Sequence, residues 1–329
     1  MIQTTDLGMA VEHALRAPSV HNTQPWRWRI RPKAVELHAD WNRHLPATDP
    51  DRRDLILSCG AALHHLRVAC AARGLAVEVD RLPDPEDLGH LATVAIRPGQ
   101  SDPTDAALFP AIQRRRTERR RMSHRPVPAS YLRTLTEQAR RAGALLVPVT
   151  SALMRQRLTT TLTEAAHHQD VTPGYIAELQ LWTRRYAAAC DGVPATSVAP
   201  PPIGLTGSSP LRRFPHAQLS QPRQLAGHGP ADDAAELLVI ATAGDDSLDW
   251  LRAGEATSAV LLAATQLELA TTPLSQAVEV ELSRRELQQQ VLHVPEHPQL
   301  IVRVGWQASG AAELPVTPRR DLSSVLLPA

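Results

Sequence analysis

The chain has 329 residues, which suits about two domains, with 43% hydrophobic content and a formal net charge of +1. That balance excludes a general nucleic-acid binder, because counterion release from a polyanion needs a basic surface. Three widely spaced cysteines, Cys59, Cys70 and Cys190, form neither a disulfide framework nor a zinc pattern. The chain reads as a cytoplasmic protein, because MIQTTDLGMAVEHAL lacks a signal-peptide pattern and no run reaches the roughly 18 apolar residues of a membrane span.

Residues 6–16 read as a helix with Ala10, Ala14 and Ala17 along one side, closed by Pro18. Trp26 to Ile30 and Ala34 to Ala39 read as a strand pair. Residues 54–73 read as a helix, with Cys59, Leu63, Leu66 and Cys70 at helical spacing and Gly74 as its stop. Strands are expected at Val77 to Leu82 and Leu91 to Arg97, then a polar lobe boundary over Pro98 to Leu108. A helix follows near Ser130 to Ala142, a strand near Ala144 to Thr150, and helices over 151–169 and 173–189. Residues 192–230 carry many Pro, Gly and Ser residues and little periodicity; loops of that length are often lids or disordered segments. A buried strand ELLVIAT, an apolar helix from Ala253 to Ala270 and a last strand from Leu300 to Trp306 complete the chain.

A weak internal repeat links Gly60–Leu75 with Gly254–Leu269. Both stretches begin with Gly, share an apolar helical pattern and precede apolar strands. Two buried helices can look this alike by chance, so duplication and coincidence both stand at this point.

Four strings carry candidate chemistry. APSVHNTQPWRW, Ala17 to Trp28, sets small and short polar residues after a helix, where backbone can approach a ligand closely. The same residues also read as a helix end turning into a strand. IQRRRTERRR, Ile112 to Arg121, reads as a solvated basic helix, as a nucleic-acid patch, or as an arginine-and-hydroxyl clamp on a phosphate monoester. TTPLSQAVE follows the last long helix, and VTPRRDLSSVL closes the chain with paired arginines. The histidine pairs His64-His65, His167-His168 and His293 with His297 lack a Cys or carboxylate frame, so no metal is expected. No dinucleotide fingerprint, Walker loop or nucleophile elbow is present in the sequence.

The first string resembles the A-x-A-P-S-x-x-N-x-Q-P-W signature of nitroreductase-type flavoproteins, and its APSVHNTQPW form resembles the Acg branch. The resemblance implies an α+β nitroreductase-like fold with two related lobes, residues 1–107 and 108–329. Each lobe would hold a mostly antiparallel sheet flanked by helices, with a lid-like insertion at about 190–230. It implies one FMN site. Pro18, Ser19, His21 and Asn22 would lie near the flavin, with Gln24 in support. Arg115, Arg116, Thr117 and Arg119 match the family's phosphate motif. Arg320, or else Arg319, matches the arginine that reaches the phosphate from the C-terminus. Pro273, Leu274, Ser275 and Gln276 match the loop beside the reactive flavin nitrogen, although Ser275 and Gln276 stand where Glu and Gly are common. No catalytic side chain is singled out.

The lining string lies in the first half and the phosphate motifs in the second, as in a fused pseudo-dimer whose two lobes share one site. A monomer would then suffice for the site, with a dimer also open, a small molecule as partner and neither nucleic acid nor membrane. The implied activity is FMN-dependent transfer of electrons from NAD(P)H to a nitroaromatic, quinone or similar acceptor. The alternative is a flavin-storing or flavin-sequestering protein whose lid covers the ring. Lys33, the one lysine, is not expected to reach the flavin, which leaves Arg119 as the cation for its ring.

Overall fold

A computed structural model describes residues 4–183, 189–200, 211–222 and 233–328. The expected helix 173–189 and the Pro-rich segment 192–230 therefore fall partly outside the described residues.

Two four-stranded, wholly antiparallel sheets organise the chain in an α+β arrangement. Helix α1 (Thr4–Ala14) leads into strands β1 (Trp26–Arg31) and β2 (Ala34–Ala39), helix α2 (Arg53–Ala72), and strands β3 (Ala76–Arg81) and β4 (His90–Arg97). The first sheet has the order β1-β2-β4-β3. Helix α3 (Pro103–Arg114) follows, and then the scheme recurs. Helix α4 (Ala129–Arg141) leads into β5 (Leu145–Pro148), α5 (Ala152–Val171), α6 (Tyr175–Thr183), β6 (Glu236–Thr242), α7 (Ser247–Gln266) and β7 (Ala270–Leu274). Short helices α8 (Gln276–Glu279) and α9 (Glu281–Glu286) and a π-helical turn at Leu287–Leu292 precede β8 (His297–Gly305). Helix α10 (Leu322–Val325) closes the chain. The second sheet has the order β5-β6-β8-β7, the same as the first. The register slips at matching places, between Leu37 and His38 on β2 and between Ile240 and Ala241 on β6.

The two halves meet along α2 and α7, which form the most extensive contact between helices. Their backbones touch. A Cβ at Gly60 would sit 2.0 Å from the Leu251 carbonyl oxygen, and one at Gly254 would sit 2.0 Å from the Leu57 carbonyl oxygen. The contact is reciprocal: each glycine meets the residue three positions before the other. The helices can approach this closely only because both positions lack a Cβ. One turn further on, His64 Nδ1 lies 2.8 Å from Ser258 Oγ, joining the corresponding positions of the two helices. Helix α2 is long and apolar enough to cross a membrane, yet 89% of that stretch is buried inside the protein, as expected of a core helix between two sheets.

Several boundaries differ from the sequence reading. Helix α3 starts inside the expected lobe boundary, capped by Asp102, and packs on both α2 and α7. Its Asp-Pro start is a helix N-terminus rather than a linker. Helix α7 begins at Ser247 and not near Ala253, because Asp246 and Asp249 form a capping box. It ends at Gln266, after which Glu268 adopts a left-handed φ of 61°, so Leu267 and Ala270 are not helical. TTPL is strand β7 and not a loop. The arginine run is not a helix either, since α3 stops at Arg114.

Candidate functional site

An apolar chamber of about 1040 Å³, counted out to its open mouth, lies between the halves. Helix α2 contributes Asp54, Leu57, Ser58 and Ala61, which share one face at helical spacing. Residues 18–21, the chain from Thr272 to Gln276, and Thr257 and Leu300 complete the wall. A second pocket of about 620 Å³ adjoins it across Pro18, Ser19, Thr117 and Arg119, which line both. Arg16, Arg115, Arg116, Arg119 and Arg319 line this pocket, and among the described residues no carboxylate does. The result is one cleft, apolar at one end and cationic at the other.

The conformation of residues 115–120 explains the cationic end. The chain there is irregular, and its side chains divide between the cleft and the interior. Arg115, Thr117 and Arg119 face the cleft. Glu118 and Arg120 face away and form a buried ion pair, with Arg120 Nη2 2.6 Å from Glu118 Oε2. Within the basic string Glu118 thus neutralises Arg120 alone, and Arg115, Arg116 and Arg119 keep their charge at the cleft. Among the described residues no carboxylate pairs with Arg115, Arg116, Arg119 or Arg319. Burial and mutual repulsion pull Arg115 and Arg119 down to about 10 and Arg319 to about 9. Among the described residues, the Nε and Nη1 donors of Arg115 and the Nε donors of Arg116 and Arg319 are buried without a partner. Unpaired buried guanidinium groups are costly, and a dianion such as a phosphate monoester would satisfy them.

The lining string is a tight left-handed turn. His21, Asn22 and Gln24 have φ of 46°, 55° and 52°, unusual for residues other than glycine. Ser19 Oγ accepts the Gln24 backbone N–H at 2.9 Å and braces the turn. Asn22 Nδ2 donates to the carbonyls of Gly192 and Pro318, while its Oδ1 is buried and has no partner among the described residues, an acceptor suited to a ligand hydroxyl. His21 is held neutral by burial and by the neighbouring Arg212 and Arg119, and its Nε2 accepts from Arg212 at 3.2 Å.

The expected site residues divide into two groups. Pro18, Ser19, His21, Asn22, Arg115, Arg116, Thr117, Arg119, Pro273, Leu274, Ser275, Gln276 and Arg319 line the cleft. Gln24 and Arg320 do not. Gln24 is fully buried; its Nε2 donates to the Cys190 carbonyl and its Oε1 accepts the Arg320 backbone N–H at 2.8 Å. The Arg320 guanidinium bonds the Gln24 carbonyl and Asp40, so the C-terminal arginine in the cleft is Arg319. Arg320 is pinned by these bonds, and its neighbour Arg319 lines the cleft. Lys33 lies exposed in the β1–β2 turn, away from the cleft.

Sequence reasoning missed Arg16, the α2 face and Arg212. The Pro-rich segment contributes Val198, Ala199, Leu211, Arg212 and Phe214 to the chamber. Arg212 ion-pairs with Glu279, the two side chains being 8% and 1% exposed, and donates to Tyr175 Oη at 3.0 Å. The α2 face was hidden because its spacing is that of any core helix. Among the described residues, Glu36, His38 and His90 have spacing suited to a metal, but Arg29 and Arg31 already pair with Glu36.

The chain is thus of the α+β class, with two four-stranded antiparallel sheets and a cleft that is apolar at one end and cationic at the other. The nitroreductase family model matches residues 112–306, more than half of the chain. The chain belongs to the nitroreductase family. A Mycobacterium tuberculosis protein with the provisional name NAD(P)H nitroreductase is 44% identical over 95% of this chain and 88% of its own length. The acg protein of the same organism, also provisionally named an NAD(P)H nitroreductase, is 36% identical over 99% of this chain and 96% of its own. Among solved structures, the FMN-dependent nitroreductase NfnB from Mycobacterium smegmatis, in complex with NADPH, is similar with a TM-score of 0.41. It is 15% identical over 67% of this chain and 96% of its own.

Proposed function

We propose that the chain binds one FMN in the cleft and is an FMN-dependent oxidoreductase of nitroreductase type. Electrons would pass from NAD(P)H to a nitroaromatic, quinone or similar acceptor. The observation that carries this reading is the pocket of buried arginines without a counterion, joined directly to an apolar chamber. Arg115, Arg116, Arg119, Arg319 and Thr117 would hold the phosphate. Asn22 Oδ1 would accept from a ribityl hydroxyl, and the α2 face and the Thr272–Gln276 chain would enclose the ring. When bound, the flavin supplies hydride chemistry; the chain supplies orientation, charge and exclusion of water. Arg119 lies at the junction of the two pockets, where it can stabilise negative charge on a reduced ring.

The matching strand orders, the matching register slips and the reciprocal glycine contact support a fused pseudo-dimer, with the first lobe supplying the lining string and the second the phosphate clamp. On that reading a monomer holds a complete site. A second reading, a flavin-holding protein, is favoured by Leu211, Arg212 and Phe214, which occupy the chamber wall where a substrate would stack. The visible spectrum followed by anaerobic NADH and NADPH titration separates the two. Rapid bleaching of yellow protein by a nicotinamide supports the reductase. Bleaching by dithionite alone supports the holding protein, and colourless protein that FMN cannot reconstitute refutes both.

A further inference from the structure

The chamber wall contains one acid that the phosphate clamp and the lining turn do not explain. Asp54 lies in the first turn of α2 and is 6% exposed. It lines the apolar chamber and not the cationic pocket. Its Oδ2 is buried with no hydrogen-bond partner among the described residues. The cations around it are engaged elsewhere: Arg53 bonds Asp245 and Gln299, and Arg212 bonds Glu279 and Tyr175.

We propose that the Asp54 carboxyl group donates a hydrogen bond to FMN, at a carbonyl oxygen or ring nitrogen of the end remote from the phosphate. This rests on the flavin reading above. A buried carboxylate with neither a cation nor a donor is unfavourable by several kcal/mol, so the group takes up a proton. The neighbouring acid shows where that proton resides. Asp49 precedes α2, and its two oxygens accept the backbone N–H groups of Asp54 and Leu55 at 3.1 and 2.9 Å. Those bonds oppose the rise that burial imposes on Asp49, whereas among the described residues Asp54 Oδ2 accepts none and its own rise is offset only by the charges of Arg53 and Arg212. Glu279, on α8, is charge-paired with Arg212 and adds repulsion. Burial, Asp49 and Glu279 together push Asp54 well above the usual carboxylate range. The other ionisable groups facing the chamber are His21, which is neutral, and Arg119 and Arg212, which lack a removable proton near neutral pH. Asp54 is thus the chamber acid able to donate at neutral pH, as acids in apolar sites do.

The test compares the wild type with Asp54→Asn and Asp54→Leu. FMN affinity is read by fluorescence quenching from pH 6 to pH 10, and the Asp54 carboxyl carbon is followed by NMR with and without FMN. Asp54→Asn keeps a donor and should bind FMN within a few-fold of wild type. Asp54→Leu should bind about tenfold more weakly, the size of one lost hydrogen bond. The wild-type affinity should weaken relative to Asp54→Asn as pH rises and Asp54 ionises; this ratio cancels any titration of Arg115, Arg119 and Arg319, which both proteins share. The carbon signal of flavin-free protein should stay in the neutral-acid position through pH 7. An Asp54 that is ionised at pH 7, or a Leu variant that binds as well as wild type, overturns the assignment alone. Wild-type protein that does not bind FMN overturns the flavin reading, and the assignment with it. Thermal melts establish that each variant folds; should Asp54→Leu fail to fold, the Asn comparison and the carbon signal decide.

Discussion

Replacing Arg115 by Met should strengthen the flavin-free protein and weaken flavin binding at the same time. Arg115 is 6% exposed and leaves two donors unpaired. Its fall from 12.5 to about 10 corresponds to about 3 kcal/mol against the charged form, at about 1.4 kcal/mol per pH unit. Met has similar length and no charge to desolvate. Flavin-free Arg115→Met should therefore gain about 1–3 kcal/mol, as replacing buried charge with apolar side chains commonly does. In the complex the same guanidinium would make charge-assisted bonds to phosphate, each contributing about 1.5–3 kcal/mol. FMN affinity should fall at least about 30-fold, and the preference for FMN over riboflavin should collapse. Urea unfolding of the flavin-free protein and fluorescence titration with both flavins measure the two effects. A variant less stable than wild type that binds FMN equally well would refute an anion site at these arginines.

Gly60→Ala should destabilise by about 3 kcal/mol or more, because its Cβ would displace the Leu251 carbonyl and part α2 from α7. Gly8→Ala, on α1 with nothing within 4 Å, is the control and should stabilise by up to about 1 kcal/mol; equal urea midpoints for the two variants would disprove the close crossing. Burial raises Asp49 to about 7. A raised acid contributes stability that is lost as pH rises through its folded value, whereas the lowered His21 and His65 lose theirs as pH falls below 6.5. At pH 6.5 an unfolded imidazole is still half-protonated, so the histidines offset the loss in the wild type alone; because both proteins share them, the stability of the wild type relative to Asp49→Asn should fall as pH rises from about 5 to about 8, as paired urea midpoints would reveal. Replacing Arg212 by Met together with Glu279 by Gln removes a buried pair without stranding either charge. If the Pro-rich segment excludes nicotinamide, anaerobic bleaching by NADPH should accelerate at least about tenfold, and an unchanged rate would deny the segment a gating role.

Features set by neighbours along the chain were legible from the residues. ELLVIAT is β6 with the expected ends, and the spacing of Cys59, Leu63, Leu66 and Cys70 gave α2 to within a residue at each end. The string at Ala17 and the arginine run marked both halves of the cleft, because a ligand-approaching turn and a phosphate clamp need particular residue types close together. Strand β7 was not legible. TTPL is short and contains Pro, and it becomes a strand only by pairing with β8.

The sequence by itself determined the family, the α+β class and the motifs at either end of the cleft, since these are written in local residue order. Only the tertiary structure decided that Arg319 and not Arg320 enters the cleft, because the choice depends on Gln24 and Asp40, nearly 300 positions away. It alone placed Asp54 on a chamber wall and Arg212 beside Glu279, since burial and counterions are properties of what other segments bring near. The close approach of α2 and α7 likewise needed both Gly60 and Gly254, and neither glycine announces its partner until the two helices are packed together.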